Sequence, residues 1–193
     1  MTYFLYKDKS NCLKLIRVCA AKPRGYFIHA PSKNGNPQGT LDQKDFIKSI
    51  YEIISVGKSV KETERIVIMG DFNLNPWDEL LNHDTHLMTA YLQNKNIINQ
   101  RSFQKCFYNP IVEYLSKSSI TNLSGTYYSN SFDWGLIDFA LYDTRNMEID
   151  FQILTGFAGG SEQLNTSPTI KNKFLNHSLD HLPIAINVTK LIL

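Results

Sequence analysis

The chain has 193 residues, which suits one domain with a full core. Apolar content of 42%, charged content of 20% and a net charge of +2 are ordinary for a globular protein and exclude a disordered, strongly charged chain. The lysines are scattered, so charge alone points to no nucleic-acid face.

Three cysteines, Cys12, Cys19 and Cys106, are odd in number and lack paired spacing. They form neither a disulfide framework nor a zinc-ligand pattern and read as small apolar residues of a reducing compartment. No apolar stretch reaches transmembrane length, and the start lacks the features of a signal peptide, so the expected location is cytoplasmic. Sequons at Asn122, Asn165, Asn176 and Asn187 reflect an Asn-rich chain rather than glycosylation.

In chain order, "TYFLY" (2–6) reads as a short strand and "CLKLIRVCAA" (12–21) as a second. "KPRG" turns the chain into a third strand, "YFIHA" (26–30), and "PSKNGNPQG" (31–39) is a loop. The period then changes. Phe46, Ile50 and Ile54, joined by Ile47, Tyr51 and Ile53, place one apolar stripe on a helix over 41–58, with Asp42 as its N-cap and Gly57 as its stop. "RIVIMG" (65–70) is a continuous, β-branched run that suits a strand buried on both faces. "NPWDELL" opens a helix with Asn75 as cap and Pro76 in its first turn. Residues 84–115 read as mixed and mostly helical. "GTYYSNSFDWGLIDFALYD" gives two strands around a turn near Asn130, 155–173 form a polar surface loop, and "HLPIAINVTKLIL" is a closing strand. Phe46, Tyr51, Trp77, Trp134 and Tyr142 are assigned to the core or the pocket floor. Strand–helix–strand units mix with hairpins, and no repeat or linker intervenes. The expectation is a single α+β domain over 1–193.

Chemistry-bearing residues gather at predicted strand ends. His29 closes "YFIHA", Asp71 and Asn73 close "IVIMGDFN", Asp138 interrupts "WGLIDFAL", and Asp180 and His181 precede "LPIAI". Loops at sheet ends are where rigid scaffolds present reacting groups. An acid inside "LIDFAL" is costly to bury without a partner, and His181 would supply one. Hydrolysis of an anionic phosphodiester needs a divalent cation, a carboxylate to orient or deprotonate water, and a donor for the leaving oxygen. Hard oxygen ligands such as Asp71 and Asp180 suit Mg²⁺, and Asn73 could donate to a phosphate oxygen without adding charge. A Ser-His-Asp hydrolase is excluded: there is no GxSxG elbow, and Ser178, Asp180 and His181 lie too close together in the chain.

"GDFN", "WGLIDFAL" and "SLDHLPI", in that order, resemble the motifs of the endonuclease/exonuclease/phosphatase superfamily with its deoxyribonuclease I-like fold. "YFIHAPSK" is similar to that family's strand bearing a catalytic His, and "FYNPIVEYL" and "GTYY" resemble bacterial members of unassigned substrate. The resemblance covers about residues 26–188. It implies a four-layer αββα sandwich and a phosphoesterase using Mg²⁺, with Mn²⁺ as the alternative ion, on a phosphate-ester substrate, DNA among the candidates. It implies that Asp71 orients or activates water and that Asn73 contacts the phosphate or a metal-bound water. Asp138 would pair with His181, Asp180 would help Asp71 hold the cation, His181 would stabilise the phosphoryl oxygens, and His29 would assist departure of the leaving group. Apart from the resemblance, Lys33 could touch a phosphate from its loop, and Trp134, just ahead of the Asp138 strand, could line the substrate site.

One departure from the family's pattern matters. An upstream strand pair, ending in a Gln-Glu dipeptide whose Glu is the principal metal ligand, has no counterpart before "YFIHA". Glu52, Glu62 and Glu64 come too late, and Asp8 lies in a hairpin-like "YKDKS". The resemblance therefore implies an N-terminally truncated member lacking its first helix and strands, with a sheet edge that a second copy or the absent segment would cover. Three functions stay open: a phosphodiesterase, a catalytically impaired relative that binds an anion, and a phosphomonoesterase or phospholipase-type member.

Overall fold

The computed structural model describes residues 2–7, 13–15, 24–32, 39–56, 66–82, 88–90, 106–117, 125–129, 133–142, 147–154 and 181–191. The protein has mixed α/β content with few helices. Its centre is β4 (Ile66–Asp71), whose first five residues are buried. This is the behaviour expected of the "IVIMG" run, since full burial of each Ile or Met side chain contributes roughly 1.5–3 kcal/mol. β4 lies between β3 (Arg24–His29), to which it is parallel, and β9 (Asp138–Tyr142), to which it is antiparallel. Beyond β9 come β6 (Cys106–Tyr108) and β5 (Met88–Ala90), giving a five-stranded mixed sheet in the order β3-β4-β9-β6-β5.

A four-stranded antiparallel sheet combines β1 (Thr2–Lys7), β2 (Leu13–Leu15), β10 (Met147–Ile153) and β11 (Ile184–Leu191) in the order β10-β11-β1-β2. β7 (Tyr127–Ser129) and β8 (Asp133–Gly135) form a separate hairpin, whose Ser129↔Asp133 pair brackets the expected turn. Residues of both large sheets share one core: Ile68, Phe139 and Leu141 of the first pack in one cluster with Phe151, Ile184 and Ile186 of the second. Within that core Phe72 and Phe139 stack with centroids 4.0 Å apart and planes 6° from parallel.

Helix α1 (Gly39–Val56) buries Gln43, Ile47 and Ile50, one stripe at helical spacing. It begins earlier than its sequence implies, so Asp42 sits inside its first turn rather than capping it. There its carboxylate faces the positive end of the helix. The expected stop, Gly57, lies outside the described residues, directly after the last helical one. The short α2 (Glu79–Asn82) is capped by Asp78, whose Oδ1 accepts from the Leu80 amide at 3.0 Å. Asn75 instead closes a turn through its carbonyl, which accepts from Asp78 N at 2.9 Å. Trp77 projects from this turn at 55% exposure and is not part of the core.

The segment expected to be mostly helical contains β5 and β6 ahead of α3 (Ile111–Lys117). Three-residue strands carry too little period to read. They form because β6 pairs with β5 and, through Tyr108↔Tyr142, with β9. "WGLIDFAL" likewise divides into the end of β8 and a separate β9, so this region supplies three strands. Of the loop expected at 31–39, Gly39 already belongs to α1 and 33–38 lie outside the described residues, as does the loop expected at 155–173.

Candidate functional site

The pairing register assembles the site. His29 is the Cα partner of Asp71 across β3 and β4, and Asp71 is the partner of Asp138 across β4 and β9. Three neighbouring strands thus place one imidazole and two carboxylates in a single cross-strand row. The row sits at the C-terminal ends of the parallel pair, where β4 leaves the core.

Gly70 makes this possible. Its φ of 141° lies in a region that L side chains avoid, and a Cβ there would overlap the Ile28 carbonyl oxygen. Beyond Asp71 the chain turns at Asn73 (φ 48°), a left-handed conformation that Asn tolerates better than most residues. Asp71 Oδ1 accepts from Asn73 N at 2.8 Å, and Asn73 Nδ2 donates to Ala30 O at 2.7 Å. The ladder continues past the strands, with Ala30 N donating to Asp71 O (2.8 Å) and Phe72 N to Ile137 O (2.9 Å).

His181 enters from the segment leading into β11. Its backbone forms an isolated bridge with Tyr127, and the two rings lie 4.8 Å apart at 44°. Thr126 joins the parts. Its Oγ1 accepts from Asp138 N at 2.9 Å and Ile137 N at 3.2 Å, while its carbonyl accepts from Leu182 N at 2.6 Å. One buried residue therefore anchors the backbones beside both Asp138 and His181. Gly125 precedes it because a Cβ there would overlap the Gly135 carbonyl.

His181 Nδ1 lies 2.9 Å from Asp138 Oδ2, and His181 Nε2 lies 3.8 Å from Asp71 Oδ2. His29 Nε2 is 3.5 Å from the same Asp71 oxygen. Asp71 is thus flanked by two imidazoles. One is sheltered (His181, side chain 14% exposed) and the other open to solvent (His29, 43%). Burial raises the Asp71 pKa above the ordinary carboxylate range, and the nearby Asp138 charge adds to this. His181, the Asn73 amide and His29 pull the other way.

Ligand atoms of Asp71, Asp138 and His181 all lie within 4.8 Å of one another. Two carboxylates and an imidazole at this separation are a donor set that fits a divalent cation. Among the described residues no glutamate joins the group.

Of the residues expected at the site, His29, Asp71, Asn73, Asp138 and His181 come together. Asp180 and Lys33 lie outside the described residues, as does the side chain of Trp134, whose backbone pairs with Tyr128 in the β7–β8 hairpin. Thr126, in "GTYY", and Gln43 are tied to the site without having been expected there. For Gln43 the signal in the sequence is that it falls four residues before Ile47, on the apolar stripe of α1.

No family model and no curated protein matches the sequence. One solved structure that does is the catalytic domain of human Nocturnin with a bound sulfate anion. It is 13% identical, with a TM-score of 0.41, and the match covers 97% of this chain and 52% of that one. The chain thus spans about half the length of that domain. No helix among the described residues is long and apolar enough to cross a membrane.

Proposed function

We propose that this protein is a metal-dependent phosphoesterase of the endonuclease/exonuclease/phosphatase type, hydrolysing phosphodiesters. The observation that supports this most is the position of the Asp71 carboxylate between His29 and His181, with His181 held from behind by Asp138. The motif resemblance, carried by the stretches that hold these same residues, supports it as well.

In this reading Asp71 Oδ2 takes the proton of the attacking water. Asp138 accepts from Nδ1–H of His181 and would hold it as the imidazolium, whose Nε2–H is left to donate on the substrate side. The sheltered imidazole then faces the phosphoryl oxygens, and the more exposed His29 donates to the departing oxygen. Asn73 uses one Nδ2 hydrogen on Ala30 and has the other for a phosphate oxygen. Asp71 and Asp138, with Asp180 beside His181, would hold Mg²⁺ or Mn²⁺, and such an ion neutralises charge that develops on phosphate.

The test is a Mg²⁺-dependent rate on bis(p-nitrophenyl) phosphate. Asp71→Asn and His181→Ala should each lower it about 10²–10⁴-fold, the usual contribution of a general acid or base. No rate from a correctly folded wild type, also on nucleotide and inositol monophosphates, would favour a second reading as an anion-binding relative without turnover. The absence of a glutamate from the cluster among the described residues supports that reading.

A further inference from the structure

Gln43 is fully buried on α1, in a stripe otherwise made of Ile47 and Ile50. Its Nε2 donates to Pro31 O and to Asn73 O, each at 2.9 Å. Pro31 lies two residues past His29, and Asn73 lies two residues past Asp71. His29 and Asp71 are themselves register partners, so one side-chain amide spans the two strands at equivalent positions beyond the end of their ladder. An apolar residue would fill the same space, whereas Gln43 leaves its Oε1 without a hydrogen-bond partner among the described residues. The amide's two donors are what the position gains in exchange for that unsatisfied oxygen.

We propose that Gln43 is a positioning residue: its amide clamps the Ala30–Pro31 and Phe72–Asn73 segments together and so sets the separation of the His29 imidazole and the Asp71 carboxylate. The clamp rests on the reading of His29 and Asp71 as working groups. Released from Gln43, the two segments keep, among the described residues, the Ala30 N to Asp71 O ladder bond and the Asn73 Nδ2 to Ala30 O bond. Small displacements between reacting groups lower rates steeply, so the effect belongs in turnover more than in affinity.

The decisive variant is Gln43→Met, which keeps length and burial and removes both donors. Two readouts apply. In hydrogen exchange, the Ala30 and Asn73 amides should exchange about tenfold faster while Ile68 and Leu141 in the core stay protected. In the phosphodiester assay, kcat should fall about tenfold or more with KM within about twofold. Unchanged exchange at Ala30 and Asn73, or a rise that extends equally to Ile68 and Leu141, overturns the proposal, and so does a wild-type kcat in the variant. If the wild type turns over no phosphate ester, the functional reading fails by itself and exchange alone decides the clamp. If Gln43→Met does not fold, Gln43→Asn, whose amide is too short to reach either carbonyl, carries the same two readouts.

Discussion

Asp71 combines two demands that oppose each other. Its burial and the nearby Asp138 raise its pKa, so the folded protein binds a proton there more readily than the unfolded chain does. Stability linked to this group therefore falls as pH rises from the unfolded carboxylate value through the raised folded one, and it stays lower at neutral pH. Asp71→Asn keeps an oxygen for the Asn73 amide and removes the charge. In the presence of a chelator it should melt higher than wild type at neutral pH. The gain should vanish near pH 4, about where an unperturbed carboxylate titrates. Thermal melts of both proteins across that range check the sign. A variant less stable at neutral pH would mean that the imidazoles outweigh burial. The residue with the strongest case for chemistry is thus expected to be one whose removal stabilises the fold.

Strand ends, rather than whole strands, carry the site. β4 ends on Asp71 only because Gly70 lets it approach β3 without colliding with Ile28. Gly70→Ala combines a disfavoured φ with a backbone overlap in the central strand. It should destabilise by about 3 kcal/mol or more, or prevent folding, as read by urea denaturation. "IVIMGDFN" is legible in the sequence for the same reason that it works: a β-branched run buried on both sides must end abruptly, and the abrupt end presents polar groups. His29 and Asp138 are legible because each interrupts or closes an apolar run. β5 and β6 are not, since three residues show no period and exist only through their pairing. The caps are partly misread from sequence. Asn75-Pro76 looks like a helix start, but the chain first makes a turn and Asp78 caps the helix. Thr126 lies within "GTYY", but its role, like that of Gln43, stays illegible because both contribute hydrogen bonds to backbone atoms far away in the chain, which no local pattern encodes.

At the scale of the molecule, the two sheets share one core while the polar groups of β3, β4, β9 and the β11 approach meet at one end. A cation held by the Asp71 and Asp138 carboxylates would bind only the folded chain. Mg²⁺ or Mn²⁺ at about a hundredfold above its Kd should therefore add roughly 2.7 kcal/mol to stability. Differential scanning calorimetry should show a rise in Tm with either ion that is absent in the Asp71→Asn, Asp138→Asn double variant. No rise in the wild type would rule out the cation at this cluster. Each of the two acids is followed in the chain by a ring of the Phe72–Phe139 stack. The peptide that aims a carboxylate outward is thereby nailed into the interior by its neighbour. Warming should therefore scatter these acids only when the rings themselves come apart.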